Sequence, residues 1–369
     1  MIYFLVLVLI LVLGIITYVN VHPVFGGKAH RTNKQQYIAL SNYKQGKFRN
    51  AVPVQMEMNL STIGSFIKEA MKGGEERRPR QLLPLAALDE TLIRSAEPTL
   101  TWFGHSTFLL GIEGKQLLID PMFGRSASPV TFVGSKRYSG DLLKVADALP
   151  DIDAVLITHD HYDHLDYPSI RRLRHKVRQF FVPAGVGAHL QRWGVEKARI
   201  RELNWWEELT WEGLTLTAVP AQHFSGRGLT NRDATLWMGW VVLSSELRLY
   251  FSGDGGYGPH FQNIGQAYGP FDYTFIEGGQ YDHRWPQVHM MPEQSVQAHL
   301  DVQGRRMMLT HWGAFTLAYH SWTDPVERAS QEAEQRGVEL LAPRLGATIT
   351  LSRDEASPTV EAWWREHSH

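Results

Sequence analysis

The stretch Ala154-Val-Leu-Ile-Thr-His-Asp-His-Tyr-Asp-His-Leu-Asp166 constrains the chain most. His159, His161 and His164, with Asp160 and Asp163 between them, fall within six residues directly behind the apolar run Val155-Leu156-Ile157. The run reads as the end of a buried strand and the polar residues as the turn that leaves it. A buried strand is stiff, so donors at its carboxyl end are held in place and can share one target. A solvated histidine-rich loop would not need such a strand before it. Neutral imidazole suits zinc, copper, nickel or iron, and the carboxylates extend the choice to manganese or to a second ion beside the first. The chain has no cysteine, so any metal must be held by His, Asp or Glu, and both a disulfide framework and a thiolate nucleophile are excluded.

Three more strand ends repeat the pattern. Leu214 to Val219 runs into Pro220-Ala-Gln-His223, Leu249 to Ser252 into Gly253-Asp254-Gly255-Gly256, and Met307 to Thr310 into His311-Trp312-Gly313. Each strand thus delivers a metal-competent side chain, and the glycines beside Asp254 allow a close backbone approach to an ion. Between these strands lie segments of helical pattern, at Pro168 to His175 and Gly185 to Trp193, which gives the alternating rhythm of an α/β protein. Shorter strands are expected at Leu100 to Phe103, Phe108 to Ile112 and Lys115 to Asp120, so the folded body begins near Pro98.

Before that body the chain divides in two. Residues 1–20 are apolar and uncharged from Ile2 to Val19, near the lower limit of about 18 residues for crossing a bilayer. Nothing basic precedes Ile2 and no Ala-x-Ala follows, so an uncleaved single-pass anchor is expected rather than a signal peptide. Lys28, Arg31, Lys34, Lys44, Lys47 and Arg49 follow it, which places the body on the cytoplasmic side by the positive-inside tendency. Residues 21–95 read as an irregular, partly helical extension, in which Leu60, Ile63, Phe66, Ile67 and Met71 recur at helical spacing. That helix packs on the body or, with Lys68 and Lys72, lies at a membrane surface. The net charge of -1 gives no long-range attraction for nucleic acid, which is not expected as a partner.

The order His-x-His-x-Asp-His resembles the signature of the metallo-β-lactamase superfamily, which implies a four-layer αββα sandwich over residues 96–369. The resemblance narrows with Thr101-Trp-Phe-Gly-His-Ser-Thr107, Ile119-Asp-Pro121, Asn204-Trp-Trp-Glu-Glu208, Pro220-Ala-Gln-His223, Leu236-Trp-Met-Gly-Trp240, Gly269-Pro-Phe-Asp272, Tyr281-Asp-His-Arg-Trp285, Met291-Pro-Glu293 and Thr310-His-Trp-Gly313. Together these are similar to the N-acylphosphatidylethanolamine-hydrolysing phospholipase D family, from about Leu100 to Gly313. That family is a membrane-associated zinc phosphodiesterase, and the N-terminal apolar run sets this chain apart from its animal members. The resemblance implies two zinc ions: His159, His161 and His223 at the first, Asp163, His164 and His311 at the second, and Asp254 bridging. It further implies a phospholipid substrate, a water oriented by Asp163 or Asp254, and in-line attack on phosphorus that leaves phosphatidic acid. His289 and Tyr281 are candidate substrate contacts, His105 a candidate partner of a ligand, and a homodimer is compatible with the pattern. Trp205, Trp206, Trp237, Trp240, Trp285 and Trp312 are expected in the core or at its rim, and His260, His283, His320, His367 and His369 on the surface. Two other readings use the same residues: a hydrolase of another phosphodiester, a cyclic nucleotide or a lactone, and a membrane-attached protein that keeps metal for structure alone.

Overall fold

The computed structural model describes residues 1–54, 64–65, 68–69, 71–132, 134–354 and 361–367. Leu60, Ile63, Phe66 and Ile67, on which the expected amphipathic helix rests, lie outside them. Two sheets of seven strands dominate. One runs, in spatial order, Thr348–Thr350, Thr99–Trp102, Phe108–Ile112, Lys115–Ile119, Ile152–Leu156, Val177–Pro183 and Ile200–Leu203. The other runs Glu208–Trp211, Leu214–Val219, Gly239–Leu243, Arg248–Phe251, Phe271–Glu277, Gly304–Thr310 and Glu339–Leu341. Both are mixed: antiparallel pairs at one side give way to parallel pairs at the other, from Lys115–Ile119 onward in the first sheet and from Arg248–Phe251 onward in the second.

Alternation along the strands builds the layers. Leu110, Leu117 and Leu156 point between the sheets, where they meet Leu216, Val242 and Leu249. Their neighbours Leu109, Leu118 and Val155 point outward, onto Ala146, Ile170, Leu173 and Leu190 of the covering helices. Helices Pro292–Asp301 and Asp324–Gln335 cover the second sheet through Val296, Ala298, Val326 and Ala329. This is the expected four-layer αββα arrangement. Under the ligand-bearing strand ends, Phe251 and Phe275 stack at 4.2 Å, and Phe108 from the opposite sheet meets both. These aromatic contacts pin one sheet to the other close to where the metal-competent residues emerge.

The segment before the first strand is more integrated than its irregular sequence suggests. Tyr37, Tyr43 and Phe48 bury against Leu236 and Trp237, Leu83 joins the core between the sheets, and Ile93 joins the outer layer. The first helix, Ile2–Val21, is different: it has 20 residues and none of them is buried. It is long and apolar enough to cross a membrane and is a candidate anchor.

Of the histidines expected on the surface, His283 is exposed, His320 and His367 are half-buried, His369 lies outside the described residues, and one needs outright correction. His260 is buried, not on the surface, because helix His260–Tyr268 turns His260, Phe261, Ile264 and Gly265 inward together. Burial pushes its pKa down to about 4, and does the same to His299, which is 1% exposed and 2.7 Å from the Thr274 hydroxyl. A folded pKa below the unfolded value of about 6.5 gives stabilisation that is complete above pH 6.5 and is lost as pH falls toward 4. Replacing His299 by Gln is therefore expected to flatten this stretch of the stability curve by about 3 kcal/mol. Denaturant unfolding at pH 7 and pH 4 measures it.

Candidate metal centre

Each metal-competent side chain leaves the carboxyl end of a strand. The turn after Ile152–Leu156 carries His159 to His164, Leu214–Val219 leads to His223, Arg248–Phe251 to Asp254, and Gly304–Thr310 to His311. The close packing around Asp254 depends on glycine. Gly253 has φ +62°, and a Cβ there would lie 2.6 Å from the Met238 carbonyl oxygen; a Cβ on Gly256 would lie 2.2 Å from that of Gln287. The glycines thus admit neighbouring backbone, including the 287–288 segment that supports His223.

Two sets of donors converge. In the first, His161 Nδ1 lies 2.9 Å from His159 Nε2 and 3.2 Å from His223 Nε2. In the second, Asp163 Oδ2 lies 3.2 Å from His311 Nε2 and 3.5 Å from His164 Nε2. Asp254 Oδ2 stands between them, 3.0 Å from His311 Nε2 and 3.2 Å from His164 Nε2, and 3.8 Å and 3.9 Å from the Nε2 atoms of His159 and His223. The structure therefore brings together His159, His161, Asp163, His164, His223, Asp254 and His311 in the grouping expected from the sequence.

The far side of each imidazole fixes what faces the centre. His164 Nδ1 is 2.8 Å from Asp120 Oδ2, His311 Nδ1 3.2 Å from Glu277 Oε1, and His223 Nδ1 3.0 Å from the Val288 carbonyl. His159 Nδ1 lies 3.0 Å from the Thr158 hydroxyl, which itself donates to Asp120 Oδ2 at 2.6 Å. All four outer partners accept, so each Nδ1 keeps its proton, and each Nε2, once any proton it carries is displaced, turns a lone pair inward. Among the described residues, buried His164 Nε2 and Asp254 Oδ1 have no partner in hydrogen-bond geometry. Inward lone pairs, buried carboxylates and orphaned donor atoms fit divalent cations.

The charges agree with that fit. Burial alone would raise Asp163 and Asp254, but the imidazoles around them, His164 foremost, hold both well below the usual carboxylate range. Burial likewise opposes charge on His311, yet Asp254, Asp163 and Glu277 raise it to about 9. Protons on the imidazoles thus offset the carboxylates here, and cations entering the site displace them.

His105, expected to support a ligand, reaches the candidate ligand Asp163: its Nε2 is 2.8 Å from Asp163 Oδ2, while burial and then His311 push it down to about 3, so it donates as a neutral ring. Its backbone is paired across to Trp312 and His311, at φ +57°. His289 also joins the cluster. Its ring stacks on His311 at 5.1 Å, its Nδ1 is 3.0 Å from Glu277 Oε1, and it is half-buried at the edge. Tyr281 is placed elsewhere: its hydroxyl accepts from Arg328 Nη1 at 3.1 Å and its ring stacks on His320 at 4.3 Å. Trp237, Trp240 and Trp312 are buried, Trp205 and Trp285 lie at the rim, and Trp206 is exposed.

Four supporting residues escaped the sequence reading. Asp120 and Glu277 hold the candidate ligands His164 and His311 in orientation. Asp160 sits inside the motif but turns away from the donors, accepting from Gly226 N at 2.8 Å and Thr235 Oγ1 at 2.9 Å, with His189 Nε2 at 3.2 Å. Buried Arg227 lies 4.1 Å over the Tyr162 ring and donates to the carbonyls of Asp160, Leu165 and Val24. Asp160 stood in the motif and Asp120 closed a strand in Ile119-Asp-Pro121, but their roles, like those of Glu277 and Arg227, become visible only once distant segments meet.

Residues 115–312, which contain all seven donors, match the model of the β-lactamase superfamily domain. The chain belongs to the β-lactamase superfamily, as a metal-dependent hydrolase. Within it, an uncharacterized protein of Mycobacterium tuberculosis is 41% identical over 330 residues, covering 88% of this chain and 87% of the relative. The N-acyl-phosphatidylethanolamine-hydrolyzing phospholipase D 1 of Caenorhabditis elegans is 38% identical over 229 residues, 59% of this chain and 64% of that protein. Among solved structures, an isothiocyanate hydrolase from Delia radicum gut bacteria shares the fold with a TM-score of 0.55 at 20% identity, covering 69% of this chain and 100% of that one.

Proposed function

We propose that the protein is a zinc-dependent phosphodiester hydrolase of phospholipase D type. Its substrate is an N-acylphosphatidylethanolamine-like lipid, split into N-acylethanolamine and phosphatidic acid, and its first helix anchors it in the membrane with the body on the cytoplasmic side. The observation that carries this reading is the pair of donor sets joined by Asp254. His159, His161 and His223 would hold one zinc, Asp163, His164 and His311 the other. Cations held there supply Lewis acidity, making water acidic enough to attack near neutral pH and offsetting charge that grows on a phosphoryl oxygen.

The chain's own residues supply the rest. Asp163 and Asp254 are kept ionised by their imidazole neighbours and orient the attacking water. The new bond joins its oxygen to phosphorus, the bond from phosphorus to the ethanolamine oxygen breaks, and that oxygen takes a proton. His289, held through Nδ1 by Glu277, is placed to hydrogen-bond the departing oxygen. Tyr281 is engaged by Arg328 through its hydroxyl and by His320 through its ring, so it is the weaker of the two nominated contacts. Beside His223, a cavity of about 1010 Å³ is lined by Phe48, Val54, Phe224 and Trp237 together with Arg49 and Arg232. The wall is mixed, with Asn50 and Asp233 beside these residues; Phe224 and Trp237 offer contact to an acyl chain, and Arg49 and Arg232 suit a phosphate.

Two experiments test the reading. A panel of lipid hydrolysis assays with elemental analysis on the same sample is expected to show N-acylethanolamine release and zinc, with release stopped by chelation and restored by zinc. Release from no lipid while another phosphodiester or a lactone is cleaved would reject the substrate class and keep the hydrolase. Replacing His289 by Ala is expected to lower kcat by about a hundredfold while leaving bound metal unchanged. Metal lost in parallel would instead make His289 a ligand.

A further inference from the structure

A second cavity, of about 270 Å³, lies where the first helix meets the body, and none of the seven donors lines it. Its walls come from the last turn of the helix at Val19 and Asn20, the Phe25–Ala29 segment, and the 228–235 loop. Lys28, Lys34, Lys47, Arg192 and Arg232 line it, and among the described residues no carboxylate does, although Asp233 lies 3.9 Å from Arg232 just beside the wall. Among the described residues, no carboxylate pairs with Lys28, Lys34 or Lys47, although the whole chain carries a net charge of only -1. His189, buried in the same wall, has an Nδ1 that finds no hydrogen-bond partner among the described residues.

Its depth in a membrane follows from the helix. Twenty residues at about 1.5 Å each span about 30 Å, the thickness of the hydrocarbon core, so Val19 to Val21 sit at one boundary, level with lipid headgroups. That end is fixed to the body: Arg192 Nη2 donates to the Val21 carbonyl at 2.6 Å and Trp193 Nε1 to that of Pro23 at 2.7 Å. At the cavity rim Leu229 is 75% exposed, an apolar tip directed away from the protein.

We propose that this cavity is a binding site for the headgroup of an anionic phospholipid, retained at the root of the anchor and distinct from the substrate site. Clustered cations in excess over the nearby carboxylates, Asp233 beside Lys47 and Arg232 and Asp160 behind His189 and Thr235, attract a phosphodiester, and their height beside the anchor presents them to membrane lipid. The site also touches the metal turn through protein. Thr235, in its wall, donates to Asp160, and Arg227 joins Val24 at the helix root to the Asp160 and Leu165 carbonyls. A lipid seated there therefore holds the loop that packs Phe224 against His161 at 4.6 Å. The inference rests on the first helix being an anchor and is independent of the lipid chemistry assigned to the metal centre.

The test uses the full chain in bilayers of phosphatidylcholine alone or mixed with phosphatidylglycerol, then extracted into detergent and examined by native mass spectrometry. The wild type is expected to retain one phosphatidylglycerol. The triple variant Lys28→Gln, Lys34→Gln and Lys47→Gln is expected to retain it about a hundredfold less tightly. Thermal unfolding in phosphatidylcholine checks the fold, and Lys47→Glu alone, expected to weaken retention in the same direction, serves if the triple variant does not fold. Equal retention by folded wild type and variants overturns the proposal. Displacement of the lipid by inorganic phosphate at similar concentration assigns the site to free phosphate and overturns the lipid source. Release of the wild type from membranes by alkaline carbonate overturns the anchor, and the site with it, by a different signature.

Discussion

Replacing Asp163 by Asn is expected to lower kcat by about a thousandfold or more while the protein remains folded. The Asp163 carboxylate lies 2.8 Å from His105 Nε2 and 3.2 Å from His311 Nε2, and is held ionised inside the cluster against the cost of burial. Asparagine keeps the shape but brings no charge, and its amide nitrogen has no lone pair to offer a cation. Several kcal/mol of charge stabilisation is at stake when a metal site is disabled, and each 1.4 kcal/mol is tenfold in rate. Steady-state hydrolysis of the best lipid, with bound metal measured on the same sample, reads both effects. An unchanged rate would remove Asp163 from the site.

A change one layer further out is expected to act almost as strongly on metal binding. Asp120 Oδ2 takes the His164 Nδ1 proton at 2.8 Å and the Thr158 hydroxyl at 2.6 Å, and Oδ1 takes the Thr158 amide at 2.8 Å. In Asp120→Asn the amide oxygen can still accept from the Thr158 amide. The amide nitrogen, however, turns a donor toward His164 Nδ1 and drives the imidazole proton to Nε2. The lone pair that faced the second donor set is then lost, as is the hydroxyl acceptor beneath His159. Metal affinity is expected to fall by about 10- to 100-fold, and competition with a chromogenic chelator measures it. The backbone at Asp120 has φ +40°, a conformation asparagine tolerates, so the substitution tests chemistry with little added strain. Unchanged affinity would show that His164 does not bind through Nε2.

These two residues mark what the sequence could and could not disclose. Asp163 lies in a short motif behind an apolar run, and His223, Asp254 and His311 each close a strand of recognisable pattern. Periodicity identifies the strand ends that carry His159 to His164, His223, Asp254 and His311, and the family resemblance implied that these seven donors act as one set before their distances were known. Asp120 also closes a strand, but its role depends on His164, 44 residues later, and nothing local announces that pairing. Glu277 is hidden in the same way: it supports His289 and His311 from a strand whose sequence reads only as buried. Asp160 was legible as a motif member, whereas the direction of its side chain was set by Gly226 and Thr235. The extension before residue 96 looked irregular because Tyr37, Tyr43 and Phe48 bury without a repeating period, and their partners lie some 140 to 200 residues away.

Metal stoichiometry tests the central claim most directly, that two donor sets joined by Asp254 hold two adjacent cations. Purified full-length wild type, saturated with zinc and freed of excess, should carry two ions per chain. His223→Ala should lose an ion from the first set and His164→Ala one from the second, each leaving about one. A wild type that binds a single ion, or variants that bind as many as the wild type, would contradict the account.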